Sequence, residues 1–259
     1  MPQFIRLSTA NKAATVTLAR PDLHNAFNEE MMREITEVFG SLGVSPDVRA
    51  IILAGEGKSF CAGADVNWMK KMVDYSFDEN VADANVLAKM LRAIRECPKP
   101  VIARVHGAAY GGGVGLIAAS DMAVAVNGAT FCLSEVRLGI VPAVISPFVI
   151  EKIGAGAARR YALTAERFDS AEAKRIGLIS DAVEADRLDG WIAGVLECIA
   201  ANSPAAISAC KQILSHVASQ RWDDVQSYTT QQIARIRASA EGQEGLKAFL
   251  EKRKPGWVG

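Results

Sequence analysis

The sequence predicts an α/β fold in which strands and helices alternate to about residue 185 and helices alone follow. Three observations predict it. The run Val48–Ala54 is almost wholly apolar, as suits a strand buried on both faces. Two glycine-bearing turns, Phe60–Asp65 and Gly107–Gly115, each stand between a strand-like run and a helical one. Beyond Leu188 only helical segments remain.

In order, Phe4–Ser8 and Ala14–Ala19 read as strands, with Asn11-Lys12 as the turn between them. Arg20–Asn28 is a polar loop, and Asn28 is the expected N-cap of a helix carrying Met32, Ile35, Val38, Phe39 and Leu42. A helix starts at Trp68; residues 74–85 lack periodicity and are expected to be a mobile loop; Val86–Glu96 is helical. Cys97-Pro-Lys-Pro100 ends that helix and sets up the strand 100–106. A helix runs from Leu116, then come strands at 121–126 and 130–133 about an Asn127-Gly128 turn. An irregular apolar connection over 141–147 precedes helices at 148–153, 155–165 and 171–176, and 178–183 reads as the last strand. The closing helices are expected at 188–200, 204–220, 222–238 and 241–253.

Composition narrows the function. The 259 residues carry 29 Lys+Arg against 29 Asp+Glu, so the basic footprint of a nucleic-acid binder is absent. The five cysteines are scattered without a CxxC, and with three histidines they argue against zinc and for reduced thiols. No apolar run reaches spanning length, and the N-terminus reads as a strand rather than a signal peptide. A cytoplasmic protein, free of membrane and nucleic acid, is expected.

The glycine run Gly111-Gly-Gly113 is costly in backbone entropy, and at a helix start it leaves N–H groups aimed outward at the positive end of the dipole. It lacks the Gly-Lys-Ser/Thr of a phosphate loop and a clean GxGxxG, and no Gly-x-Ser-x-Gly elbow occurs. What remains is an oxyanion-type site, to which the two turns would each give one donor. Glu135 is the nearest acid–base candidate, at the end of the apolar strand Phe131-Cys-Leu. Apolar surroundings raise a carboxyl pKa toward neutrality; the alternative is a surface glutamate paired with Arg137. Asp65 and Asp121 read as structural, His24 and His106 as lone structural histidines, and the methionines as core.

Phe60-Cys-Ala-Gly-Ala-Asp65, His106-Gly-Ala-Ala-Tyr-Gly-Gly-Gly113 and Ser134-Glu-Val-Arg-Leu-Gly-Ile-Val-Pro142 together closely resemble the enoyl-CoA hydratase/isomerase, or crotonase, superfamily. The resemblance runs from the Arg20-Pro21 and Asn25-Ala26 loop to Ala248–Arg253. It implies a crotonase-like spiral of ββα turns over residues 1–195 and a helical oligomerisation region over 196–259, assembled as a trimer or a dimer of trimers. It implies an acyl-CoA substrate and no separate cofactor or metal, coenzyme A being part of the substrate. The thioester oxygen would be held by the N–H groups of Ala64 and Gly112, with Glu135 as the catalytic acid–base. Leu23, His24, Ala62 and Asp65 would line the coenzyme A site, and Phe249 and Lys252 match positions that reach it, often from a neighbouring subunit.

One departure bears on the chemistry. Hydratases of the family commonly carry two glutamates, and the position of the first is Gly115 here. Several segments, among them Pro142–Val149 and Arg160–Phe168, are similar to bacterial methylglutaconyl-CoA and carboxygeranoyl-CoA hydratases. Those substrates carry a distal carboxylate, for which Arg137 is the candidate partner. The expectation is hydration of a branched, carboxylated 2,3-enoyl-CoA, in fatty-acid or leucine breakdown. A Δ3,Δ2-enoyl-CoA isomerase using the same glutamate is the first alternative. A non-catalytic acyl-CoA or RNA binder is the second.

Overall fold

The computed structural model describes residues 2–218 and 220–258. It opens on a hairpin, β1 (Ile5–Ala10) and β2 (Ala13–Leu18), paired Ile5↔Leu18 to Ala10↔Ala13. Its turn puts Asn11 and Lys12 at φ 51° and 60°, the left-handed pair that a tight hairpin requires. The helix α1 (Glu29–Val44) follows, with Asn28 Oδ1 accepting from Met31 N at 3.0 Å as its cap.

Three strand–strand–helix turns then wind in succession. The first comprises β3 (Ala50–Gly55), β4 (Ser59–Cys61), α2 (Val66–Met72) and α3 (Phe77–Glu96). The second is β5 (Val101–Val105), β6 (Ala108–Tyr110) and α4 (Gly112–Ala119). The third is β7 (Met122–Val126), β8 (Thr130–Cys132) and α5 (Ser146–Thr164). Next come β9 (Phe168–Asp169), α6 (Ser170–Arg175) and β10 (Asp181–Val183), then α7 (Leu188–Ala201), α8 (Pro204–Ala218), α9 (Trp222–Ala238) and α10 (Ala240–Leu250). Each turn gives one strand to each of two sheets, ordered β1-β2-β3-β5-β7-β10 and β4-β6-β8-β9. Pairing is parallel throughout except at β1–β2 and β8–β9. The result is the α/β fold that the sequence predicts, wound as the spiral that the family resemblance implies.

The larger sheet is covered on both sides, which explains its apolar strands. Ile51, Leu53, Ala103 and Ala125 join the main core with Ile35 and Phe39 of α1, Leu91 and Ile94 of α3, and Leu116 of α4. The alternate residues Ala50, Ile102 and Val124 pack on Leu188, Ile192 and Ile199 of α7. Among the described residues no single helix is long and apolar enough to cross a membrane.

The structure departs from the sequence reading in several places. Residues 77–85, expected as a mobile loop, are the first turns of α3. A capping box holds them, with Ser76 Oγ accepting from Glu79 N and the Glu79 carboxylate accepting from Ser76 N at 2.8 Å. Trp68 Nε1 also donates to Asp83 at 2.8 Å. Apolar periodicity is missing because the buried side chains of α3 begin only at Met90. Ser76→Ala is therefore expected to cost about 1 kcal/mol, measured by urea unfolding, with fraying confined to the first turns of α3 in amide exchange. Of the strand expected at 178–183, only Asp181–Val183 pairs; Leu178 and Ile179 are buried in a turn, with Leu178 N donating to Ala173 O. Strand β9 was not anticipated. The helices expected on either side of residue 154 form one element broken at Gly154, φ 74°. The helix expected over 204–220 ends at Ala218, and Ser219 lies outside the described residues, as do Met1 and Gly259 at the ends of the expected domains.

Candidate active site

Three segments distant in sequence build the site: the loop 20–28, the turn 61–65 and the strand-to-helix turn 110–112. Asn25 is fully buried and ties the first to the chain that leads into the second. Its Oδ1 accepts from Arg20 N at 3.0 Å, and its Nδ2 donates to Glu56 O and Ser59 O, each at 2.8 Å. Arg20 then reaches across to Asp65 at 2.5 Å in an ion pair little exposed on either side. Burial pushes the Asp65 carboxyl up, but the hydrogen bonds from Arg20 and Asn67 outweigh it and hold it below its ordinary value. Asp65 also caps α2, accepting from Asn67 N at 2.7 Å, as the sequence suggests.

This clamp orients Ala64. Phe27 N donates to Gly63 O at 2.8 Å, and Asp65 N donates to Phe27 O at 3.0 Å, forming a parallel bridge opposite Ala64. A residue so bridged turns its own N–H away from its partner. The β4 end of this segment pairs with β6, which leads into α4. A Cβ added at Gly63 would lie only 3.4 Å from Gly112 N. Gly112 is the first residue of α4, so its N–H has no acceptor within the helix. A side chain there is excluded, because its Cβ would stand 2.3 Å from the Phe27 ring. Gly111 precedes it at φ 51°, ψ −121°, a conformation for glycine, with its N–H on Cys132 O at 2.8 Å. The helix expected from Leu116 thus starts four residues earlier, at the donor.

Glu135 opens a single 3-10 turn, Glu135–Leu138, after β8. Its Oε1 lies 3.2 Å from where a Gly111 Cβ would be, so the carboxyl sits against the glycine turn. Its Oε2 is buried and, among the described residues, has no hydrogen-bond partner. Burial raises its pKa. The reading of Glu135 as half of a surface pair does not hold, because the exposed Arg137 donates instead to Ala165 O. The structure therefore sets a carboxyl poised to exchange protons against the glycine turn that starts α4, where the Gly112 N–H has no acceptor within the helix. Burial pushes the neighbouring Cys61 thiol up to about 12, which makes it no nucleophile.

The other expected residues divide into two groups. Leu23, His24 and Ala62 are adjacent, with Ala62 N donating to His24 O at 2.9 Å and His24 Nδ1 3.0 Å from Ser59 Oγ. Phe249, 81% exposed, and Lys252 lie on and just after α10, which packs on α8 and α9; this chain does not bring them to Glu135. Two contributors were missed. Phe27 backs Gly112, and Ile145 fills the space beside Gly115, where a Cβ would stand 2.5 Å from Ile145 Cγ2. No sequence signal marks either one, since both act through tertiary contact. Among the described residues no cluster of side chains could hold a metal ion.

Known proteins resemble this chain over nearly its whole length. The family model described as Enoyl-CoA hydratase/isomerase matches residues 8–259. A short-chain-enoyl-CoA hydratase of Clostridium acetobutylicum is 32% identical, over 96% of this chain and 95% of its own. A peroxisomal Delta(3,5)-Delta(2,4)-dienoyl-CoA isomerase of Arabidopsis thaliana is 33% identical, over 98% and 95%. The crystal structure of an enoyl-CoA hydratase from Shewanella pealeana superposes with a TM-score of 0.95 at 43% identity, over 99% of this chain and 96% of that one. The motifs, the two-sheet spiral and the full-length match have one reading: the chain belongs to the enoyl-CoA hydratase/isomerase family.

Proposed function

We propose that this protein adds water across the double bond of a 2,3-enoyl-CoA, with Glu135 as its acid–base and the N–H groups of Ala64 and Gly112 holding the thioester oxygen. One observation carries the reading: the buried, unpartnered Oε2 of Glu135 beside the glycine turn that starts α4. The Glu135 carboxylate takes a proton from water as the water oxygen bonds to C3. The electron pair of the double bond moves into the thioester, and the enolate oxygen is held by the two N–H groups. Glu135 then returns its proton to C2, and the hydroxyacyl thioester leaves. A backbone donor of this kind contributes about 3 kcal/mol to the transition state.

The preferred substrate is a branched enoyl-CoA with a distal carboxylate, of the methylglutaconyl-CoA type. Coenzyme A enters with the substrate along Leu23, His24, Ala62 and Asp65, and no further cofactor takes part. The protein works in the cytoplasm as a trimer or a dimer of trimers, in which Phe249 and Lys252 complete the coenzyme A site of a neighbouring copy. An isomerase using the same glutamate is the second reading, favoured by Ile145 filling the space beside Gly115 and leaving Glu135 the lone carboxylate there.

Incubation with a 2-enoyl-CoA in oxygen-labelled water separates the two. A hydratase gives a hydroxyacyl-CoA carrying the label. Shift of the double bond in a 3-enoyl-CoA, with no labelled hydroxyacyl product from the 2-enoyl substrate, would overturn hydration in favour of the isomerase.

A further inference from the structure

The break at Gly154 folds the second half of α5 beside the first and leaves a pocket between them of about 190 Å³. Its walls are apolar, among them Leu133, Pro142, Ile145, Val149 and Ala158, and one charged side chain, Arg159, lines it. The pocket shares the buried wall residue Ile145 with the surroundings of Gly115, and none of Ala64, Gly112 and Glu135 lines it. Ile145 also packs against Gly115, which lies three residues, or about 4.5 Å of helix axis, beyond Gly112. Leu133 is two residues before Glu135.

Arg159 differs from the other arginines nearby. Arg160 pairs with Glu166 at 2.7 Å, and Arg137 is held on Ala165 O. Among the described residues Arg159 makes no hydrogen bond, ion pair or ring contact. An apolar slot with an exposed, unpaired guanidinium at its rim suits a ligand with an apolar body and an anionic end, since a guanidinium holds a carboxylate through two parallel hydrogen bonds.

We infer that this pocket receives the far end of the acyl group and that Arg159, not Arg137, recognises a terminal carboxylate on it. The inference rests on the reading of the chain as an acyl-CoA enzyme and assigns a specificity-determining residue to it. A pocket of about 190 Å³ suits a short or branched tail.

The test is calorimetric titration of the full chain with saturated, unreactive acyl-CoA thioesters. A series ending in carboxyl groups is set against methyl-ended thioesters of the same lengths, with acetyl-CoA as a ligand too short for the pocket. Wild type should prefer the carboxyl-ended member of matching length by about tenfold. Arg159→Gln should abolish that preference and leave methyl-ended and acetyl-CoA affinity unchanged. Arg137→Gln should keep it, and Ala158→Phe should weaken binding of both longer series but not of acetyl-CoA. Equal wild-type affinity for the two series, or a preference that survives Arg159→Gln, overturns the inference while acetyl-CoA binding upholds the acyl-CoA reading. Failure of acetyl-CoA to bind overturns both.

Discussion

Glu135→Gln is expected to lower kcat by about a thousandfold, within the range set by loss of a general acid–base group. Binding of an unreactive acyl-CoA should be unchanged, because glutamine keeps the shape of the side chain and the proposed oxygen contacts come from backbone N–H groups. The acid limb of the wild-type activity profile should lie above the ordinary carboxylate range, since burial raises the pKa of Glu135 and the base form is lost as pH falls through that raised value. The same variant should be more stable than wild type at pH values above the raised pKa of Glu135. A group whose folded pKa is raised contributes stability that is fully present below its unfolded pKa and lost as pH rises through the folded one. Above that window wild type holds a buried charge with an unpartnered oxygen, whereas glutamine stays neutral. The Tm difference should shrink as pH is lowered through the raised pKa. Turnover near wild type would show that Glu135 is not the proton carrier, and a Tm below wild type at pH values above the raised pKa would show that it is not a strained charge.

What could be read from the sequence was mostly local. The apolar run Val48–Ala54 announced a strand with both faces covered, and α7 and the main core provide the two covers. Glu135 stood out because an apolar strand ends at it. The start of α3 was also written in the chain, as Ser76-x-x-Glu79, but a search for apolar periodicity passes over a helix whose first turns bury nothing. The site's second layer was not legible. Nothing near Gly112 names Phe27, and nothing near Gly115 names Ile145; each contact joins segments brought together only by the spiral. That Ala64 and Gly112 would be the two donors is what the family resemblance implies, and the structure shows the bridge Phe27–Ala64 and the clamp Arg20–Asp65 around the first of them.

The pairing of Gly115 with Ile145 leads to the second large effect. Gly115→Glu alone should be severely destabilised. Its Cβ would stand 2.5 Å from Ile145 Cγ2 and 3.0 Å from Ile145 Cβ, at a position buried in α4. Overpacking of this kind costs about 1–3 kcal/mol, and an unpaired buried carboxylate adds to it, against a total stability on the order of 5–15 kcal/mol. Ile145→Gly alone should also destabilise, by emptying that space. Together the two changes should cost less than their sum, because each removes what the other disturbs, with a coupling above about 1 kcal/mol in urea unfolding. The double variant would then hold two carboxylates facing one reacting double bond, one to activate water and one to carry the proton to C2. Its hydration rate per folded molecule should exceed that of wild type, and the gain should vanish when Glu135→Gln is added. Additive costs would mean that Ile145 does not fill the vacant position. A coupled but no faster double variant would mean that Glu135 alone already positions the water, so that the lost second carboxylate was never what limited the rate.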